Sequence, residues 1–579
     1  MTRMKSVFAA AILAAIVSIV PQASAQTPKV ILAGSSALWQ SMALGAYNAG
    51  KCVSGGTAPC FHYTNSSFNL SDTRPTTKGG TTAVDSAAIW IVWDSAATPN
   101  VWAYIKVDSG VGDRCYFAQP RCNVSVVTFP AAGNLISSTL WGDDSSDSTP
   151  PTSIQTLLTA GTLLVNTAAT DIRPEDALFA TCRANSKLGG GTDGLAGLGY
   201  GVNSSGVCPA FGAALANLEG SDILSAYPGS TSTAHVLAFS LSGKDPFTGT
   251  AVVAGTTISV GAAPVIFITE RTGALATVTN ATDEQLQEAF GGTTCNASAF
   301  GAPSSNIQVY LREPLSGTMN TTEYSVFRYK DSSGVSQETA VAAQNPLSKA
   351  CTSGGKRFRA IGTGEEVKSV LNSVTNNGTD GIGYTFFSYG NVSSIANSAD
   401  YGYLTLDGVD GIFHKYGSKI DPGQPTIAGA LPAAANLPAT CAGGAGAFPC
   451  AEGKIWSGNL SFPNLRNGSY RAWSTLRVVS NGTALSAAQL LVTGSQTYVV
   501  NSTPDFVPAL KVGATDPGLP LLRSHYTQEG IAPVNVGTSG DKGGDAGGCI
   551  LTTTGVTATS DTTTKLAQVA PLSSCVSVP

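Results

Sequence analysis

Four times in this chain a short apolar run with strand character gives way to a turn of small polar residues and then to helical spacing. That recurrence points to an α/β fold. Lys29 to Ala33 is followed by Gly34-Ser35-Ser36-Ala37, and Leu38, Met42 and Ala46 then recur at four-residue spacing. Val101 to Val107 runs into Asp108-Ser109-Gly110-Val111-Gly112. Leu163 to Asn166 leads through the turn Thr167 to Asp171 toward Arg173-Pro174-Glu175-Asp176, where Pro174 suits a first helical position. Asn306 to Leu311 ends at Arg312, Ser316-Gly317-Thr318 form a turn, and Tyr324 and Phe327 follow with helical spacing. In open α/β sheets ligands sit in the crevice outside the carboxyl ends of the strands, so four such turns can share one crevice.

The residue types in these turns suit an anion. A helix start leaves backbone N–H groups unpaired and carries partial positive charge, and Arg312 adds a charged, bidentate donor. Taken alone, Ser-Gly-Thr is also a common loop tripeptide, Arg312 a strand end facing solvent, and Asp171 a cap for a helix at Pro174. Formal charge is −5, only 12% of residues are charged, and glycine numbers 65. So weak a field, and an acidic one, argues against a nucleic-acid partner and requires any anion to be held by local dipoles.

The ordered set GSSA at 34–37, DSGVG at 108–112, AATDIRPED at 168–176 and Arg312 with SGT at 316–318 resembles the periplasmic phosphate-binding proteins, the receptors of phosphate ABC transporters. Gly381-Ile382-Gly383-Tyr384 and the run at 462–479 resemble later landmarks of that family. The resemblance implies a two-lobed α/β fold of mixed sheets flanked by helices, enlarged here by long disulfide-pinned loops. It implies a ligand, inorganic phosphate or a related oxyanion, held by the hydroxyls of Ser36, Ser109, Ser316 and Thr318, the amides of Ala37, Gly110, Gly317 and Thr318, the guanidinium of Arg312, and Asp171 as the acceptor of a phosphate proton. Sulfate has no proton to give, so a carboxylate there would discriminate against it. The chain departs from the pattern after the arginine. Glu313-Pro314-Leu315 stand where relatives carry an acid and a glycine, which leaves the arginine's carboxylate partner unassigned.

Arg3, Lys5, the apolar run Val7 to Val20 and Ala23-Ser24-Ala25 read as a signal peptide cut after Ala25. The expected product is periplasmic or secreted and not inserted in the membrane, with 30 Lys and Arg against 37 Asp and Glu. All 12 cysteines lie beyond that cut, and neighbour pairing of 52/60, 115/122 and 441/450 is the economical expectation, with 182/208 and 549/575 as further staples. The 4 histidines fall in no metal-ligand spacing, so neither a metal nor another cofactor is expected.

Residues 26–260 read as the first lobe, 261–400 as the second, and 401–579 as a return to the first, with an Ala/Gly/Pro-rich excursion at 417–453 and a tethered tail from 537. Cys52 to Ser86 reads as a long loop, Ala88 to Trp93 as a buried strand, and Thr282 to Gln285 as a capping box. A monomer that hands phosphate to a transporter permease is the leading expectation. A secreted scavenging or adhesive protein that keeps the fold is the alternative from another class. A phosphatase or serine hydrolase ranks below both, because no Gly-x-Ser-x-Gly elbow is present and no histidine lies near the serine motifs. No catalytic residue is assigned.

Overall fold

The computed structural model describes residues 26–49, 60–70, 77–78, 81–82, 87–117, 121–125, 129–141, 146–172, 255–270, 272–312, 316–327, 348–360, 362–392, 401–412, 461–466, 469–501, 504–509, 518–519, 549–552 and 555–558. In chain order the principal elements are β1 (Thr27–Gly34), α1 (Trp39–Leu44), β2 (Cys60–Leu70), β3 (Ala87–Asp94), β4 (Asn100–Lys106), α2 (Ser109–Phe117), β5 (Asn123–Ser125), α3 (Thr152–Thr159), β6 (Leu163–Leu164), β7 (Thr167–Thr170), β8 (Thr256–Glu270), α4 (Asp283–Gly291), β9 (Gln308–Arg312), α5 (Gly317–Thr322), β10 (Ser348–Ala350), β11 (Lys356–Ala360), α6 (Thr363–Leu371), β12 (Gly381–Phe386), β13 (Tyr401–Leu406), β14 (Trp473–Ser480) and α7 (Gly482–Asn501).

The fold is α/β, with one mixed sheet in the order β10-β11-β9-β12-β8-β14-β7-β1-β4-β3-β2-β5-β6 and helices against it. Two parallel blocks lie within it. β7, β1 and β4 run parallel in the first half, and β12, β9 and β11 in the second. The 15-residue β8 belongs to both halves: Thr256–Pro264 pairs with β14, and Val265–Thr269 pairs with β12. One continuous strand therefore links the two half-sheets, and because it runs antiparallel to both β14 and β12 the two parallel blocks point in opposite senses, carboxyl ends toward each other.

Side-chain alternation builds a core on each face of the first half-sheet. Ile31, Ala33, Ile89, Ile91, Ala103 and Ile105 pack with Ile154 and Leu158 of α3. Val30, Leu32, Trp90 and Tyr104 face the other way, toward α1 and Ala488, Leu491 and Val492 of α7. Burying each large side chain of this kind stabilises by roughly 1.5–3 kcal/mol. β3 is apolar along nearly its whole length because it is covered on both faces. The Thr282 capping box opens α4 as expected, with Thr282 Oγ1 accepting the Gln285 N–H at 3.3 Å and Gln285 Oε1 accepting the Thr282 N–H at 2.8 Å.

Three local expectations are corrected. The third junction strand is Thr167–Thr170, a segment read as a turn, whereas Leu163–Leu164 only extends the sheet edge through β5. Asn166 causes the shift: its Oδ1 accepts the Ile31 N–H at 2.8 Å, and its own N–H donates to the Ile31 carbonyl at 3.0 Å, so pairing with β1 starts there and continues through the small residues that follow. Within the stretch read as a long loop, Cys60–Leu70 is a strand. Its residues pair antiparallel with β3, Phe61 opposite Trp93 and Tyr63 opposite Ile91. Gly317 and Thr318 are the first turn of α5, because Ser316 Oγ accepts the Met319 N–H at 3.3 Å and starts the helix two residues early.

The expected Cys115–Cys122 disulfide is present, and Cys295–Cys351 adds a long-range bridge that neighbour pairing did not foresee. Cys60 is also disulfide-bonded. The pairings 182/208, 441/450 and 549/575, the segment 1–25, the helix start at 173–176, residues 313–315 and the excursion at 417–453 involve residues outside the described set. Among the described residues, no helix is long and apolar enough to cross a membrane.

Candidate functional site

The carboxyl ends of the two parallel blocks meet. From the first half come the loops after β1, β4 and β7, which carry Ser35 to Ala37, Asp108 to Gly110, and Asp171. From the second half come Arg312, Ser316 to Thr318, and Thr363 at the start of α6. Close packing requires glycine at two points. A Cβ on Gly112 would strike the Ala33 carbonyl, so α2 lies directly on the end of β1. A Cβ on Gly317 would strike the Asp171 carboxylate and approach Ser109 Oγ to 2.8 Å, so the backbone of α5 rests on the opposite loop.

Asp171 is the centre of the first-half contribution and is 3% exposed. Ser109 Oγ donates to its Oδ1, and Ser35 Oγ donates to its Oδ2 at 3.3 Å. The Asp171 N–H donates back to Ser109 Oγ at 3.2 Å, and Ser474 Oγ of β14 donates to the Asp171 carbonyl at 2.5 Å. Burial pushes the carboxyl up to about 6; the Ser109 hydrogen bond and the charge of Arg312 oppose that rise, and the charge of Asp108 adds to it. Tyr104 donates to the Ser35 carbonyl at 2.5 Å, and its phenol lies well above its ordinary range through burial and the nearby Asp171 charge.

Arg312 is 1% exposed, and its backbone N–H donates to Tyr384 Oη at 3.3 Å. Its Nη2 pairs with Asp108 Oδ1 at 2.7 Å, and its Nη1 donates to Thr363 Oγ1 at 2.8 Å. Thr363 Oγ1 also lies 2.9 Å from Ser36 Oγ. The carboxylate that steadies the arginine is thus supplied by the first half-sheet, from the residue just before Ser109.

The anticipated residues converge with some exchange of roles. Ser109, Asp171 and Gly317 touch one another. Ser36 faces Thr363, while its neighbour Ser35 reaches Asp171. The Ala37 N–H is taken by Ser35 Oγ at 3.2 Å, and Ser316 Oγ caps α5. Gly110 lies in the first turn of α2 and Thr318 in the first turn of α5, both buried. Asp108, Ser35, Tyr104 and Thr363 were not assigned from sequence. Asp108 and Ser35 stand inside the quoted motifs, and Gly362-Thr363-Gly364-Glu365 after the strand Lys356–Ala360 is a fifth junction of the same kind that could have been read.

Chemically, the cluster combines one guanidinium, several hydroxyls and helix-start amides with a dehydrated carboxylate. Such a set can surround a small oxyanion and accept a proton from it. The only histidine among the described residues, His62, belongs elsewhere: its Nδ1 lies 3.0 Å from Asp147 Oδ1 and its ring stacks on Trp141.

No family model and no curated protein matches the chain. Solved structures do. An ABC-type phosphate transport receptor from Vibrio cholerae aligns at 14% identity over 42% of this chain and 70% of its own, with a TM-score of 0.24. The ancestral soluble variant of the human phosphate binding protein aligns at 12% identity over 86% of this chain and 90% of its own, with a TM-score of 0.32. A phosphate binding protein from Stenotrophomonas maltophilia aligns at 12% identity over 81% of this chain and 84% of its own, with a TM-score of 0.31.

Proposed function

We propose that this protein binds inorganic phosphate between its two lobes and delivers it, as an exported receptor, to a transporter permease. The observation that carries this reading is the pairing of Asp171 with Ser109 directly beneath Gly317, beside Arg312, at the joint carboxyl ends of two parallel blocks. Ser36, Ser109, Ser316 and Thr318 supply hydroxyls, Gly110, Gly317 and Thr318 supply amides, joined by the Ala37 amide once the anion displaces Ser35 Oγ from it, and Arg312 supplies positive charge. Asp171 accepts the proton of hydrogen phosphate. Against sulfate the same carboxylate presents a lone pair to a lone pair. Export accords with the basic and apolar start of the sequence and with the disulfides.

Calorimetric titration of phosphate-stripped protein with phosphate and then sulfate tests the reading. Phosphate is expected to bind and sulfate to be excluded, and Asp171→Asn to lose phosphate or admit sulfate. Heats indistinguishable from dilution for both anions would end it.

A further inference from the structure

The ion pair that holds Arg312 joins two regions 204 residues apart in sequence and on opposite halves of the sheet. Asp108 sits at the carboxyl end of β4, Arg312 at the carboxyl end of β9. Both terminal nitrogens of the guanidinium are engaged by protein oxygens, one by this carboxylate at 2.7 Å and the other by Thr363 Oγ1 at 2.8 Å. Thr363 in turn reaches back across the junction to Ser36 at 2.9 Å. The Asp108 oxygen on Nη2 has the charge sign of an oxyanion oxygen and occupies a position that one could take.

Resting on the oxyanion-binding reading above, we propose that Asp108 is a built-in competitor for the anion: it latches the two lobes together through Arg312, and an incoming oxyanion exchanges with it on the guanidinium. Two consequences follow from the physics. The latch lowers the affinity for the anion, since every binding event must first release a charge-assisted contact. It also biases the lobes toward closure, because opening exposes both charges at the loss of their mutual attraction. Removing the Asp108 charge reverses both effects. The stranded guanidinium can regain water only if the lobes separate, so the uncompensated charge favours opening over unfolding.

Asp108→Asn in the full mature chain tests this by two readouts. Small-angle scattering of the phosphate-stripped variant should give a larger radius of gyration than the parent, contracting when inorganic phosphate is added. Calorimetry should give a phosphate Kd lower by about tenfold, the size of one charge-assisted contact. A variant as compact as the parent without phosphate, or one that binds phosphate more weakly, overturns the proposal and makes Asp108 a fixed orienting partner of Arg312. If the parent binds no phosphate, the function proposed above fails on that result alone, while the scattering comparison still decides the latch. Should Asp108→Asn not fold, the double variant with Arg312→Gln carries no stranded charge and is judged by scattering: expansion supports the latch, and unchanged dimensions overturn it.

Discussion

Asp147 and Asp171 are two carboxylates in the first half of the molecule with opposite environments. Asp147 is satisfied on every side. His62 Nδ1 meets its Oδ1 at 3.0 Å, and its Oδ2 accepts the Thr64 and Asn134 N–H groups at 2.8 Å each and the Thr64 hydroxyl at 2.5 Å. Burial alone would raise its carboxyl, yet these hydrogen bonds outweigh burial and hold it below the usual range. At Asp171 burial prevails and the carboxyl rises to about 6. A carboxylate that fastens a loop is given all its donors by the protein. One kept dehydrated with fewer donors retains acceptor capacity.

The most forceful way to break this comparison is Asp147→Ala. It strands a buried imidazole and two backbone N–H groups, so denaturant unfolding should show a loss of about 3 kcal/mol or more. Phosphate affinity should not change. Because the folded pKa of Asp147 is depressed, its contribution is present above the ordinary carboxylate range and disappears as pH falls through that folded value. A parallel fall in phosphate affinity would mean that clasp and cleft are one unit.

Gly317→Ala approaches the comparison from the other side. The added methyl would occupy the position of the Asp171 carboxylate oxygen, and the clash lies between the two halves of the sheet, where it can be relieved by separating them. Phosphate affinity should fall about 100-fold, the effect of misplacing a site by roughly an ångström, with little change in melting temperature. Retained affinity would show that Asp171 and α5 need not meet for binding.

The same contrast explains how much could be read from the sequence. The strands and helix starts at Lys29–Ala33, Val101–Val107 and Asn306–Leu311 were legible because apolar runs and turn residues are local signals. Thr167–Thr170 was not. Its small residues form a strand only because β1 and β14 lie on either side and Asn166 sets the pairing. Asp171, Ser109 and Arg312 were legible as members of ordered motifs. Asp108 as the partner of Arg312, and Ser35 rather than Ser36 on Asp171, depend on how two distant halves meet, and nothing in a linear pattern carries that distance. The His62–Asp147 clasp was illegible for the same reason: 85 residues separate its members.

The gentlest test changes only pH. The Asp171 carboxyl is raised from its usual 3.8 to about 6, so the stability it contributes is complete below 3.8 and is lost as pH rises through about 6. Asp171→Asn should therefore unfold at higher denaturant than the parent at neutral pH, and this advantage should shrink as pH falls through that window. On the proposed function the same proton would alter recognition. Above about 6 the carboxylate can only accept, which suits hydrogen phosphate; below it the carboxylic acid can donate, which suits sulfate equally well. Competition calorimetry across this range should show discrimination against sulfate declining by about tenfold per pH unit below the folded pKa, as expected for one titrating group. Discrimination that stays constant from neutral to acid pH would remove Asp171 as its source and leave the raised carboxyl a cost of packing alone.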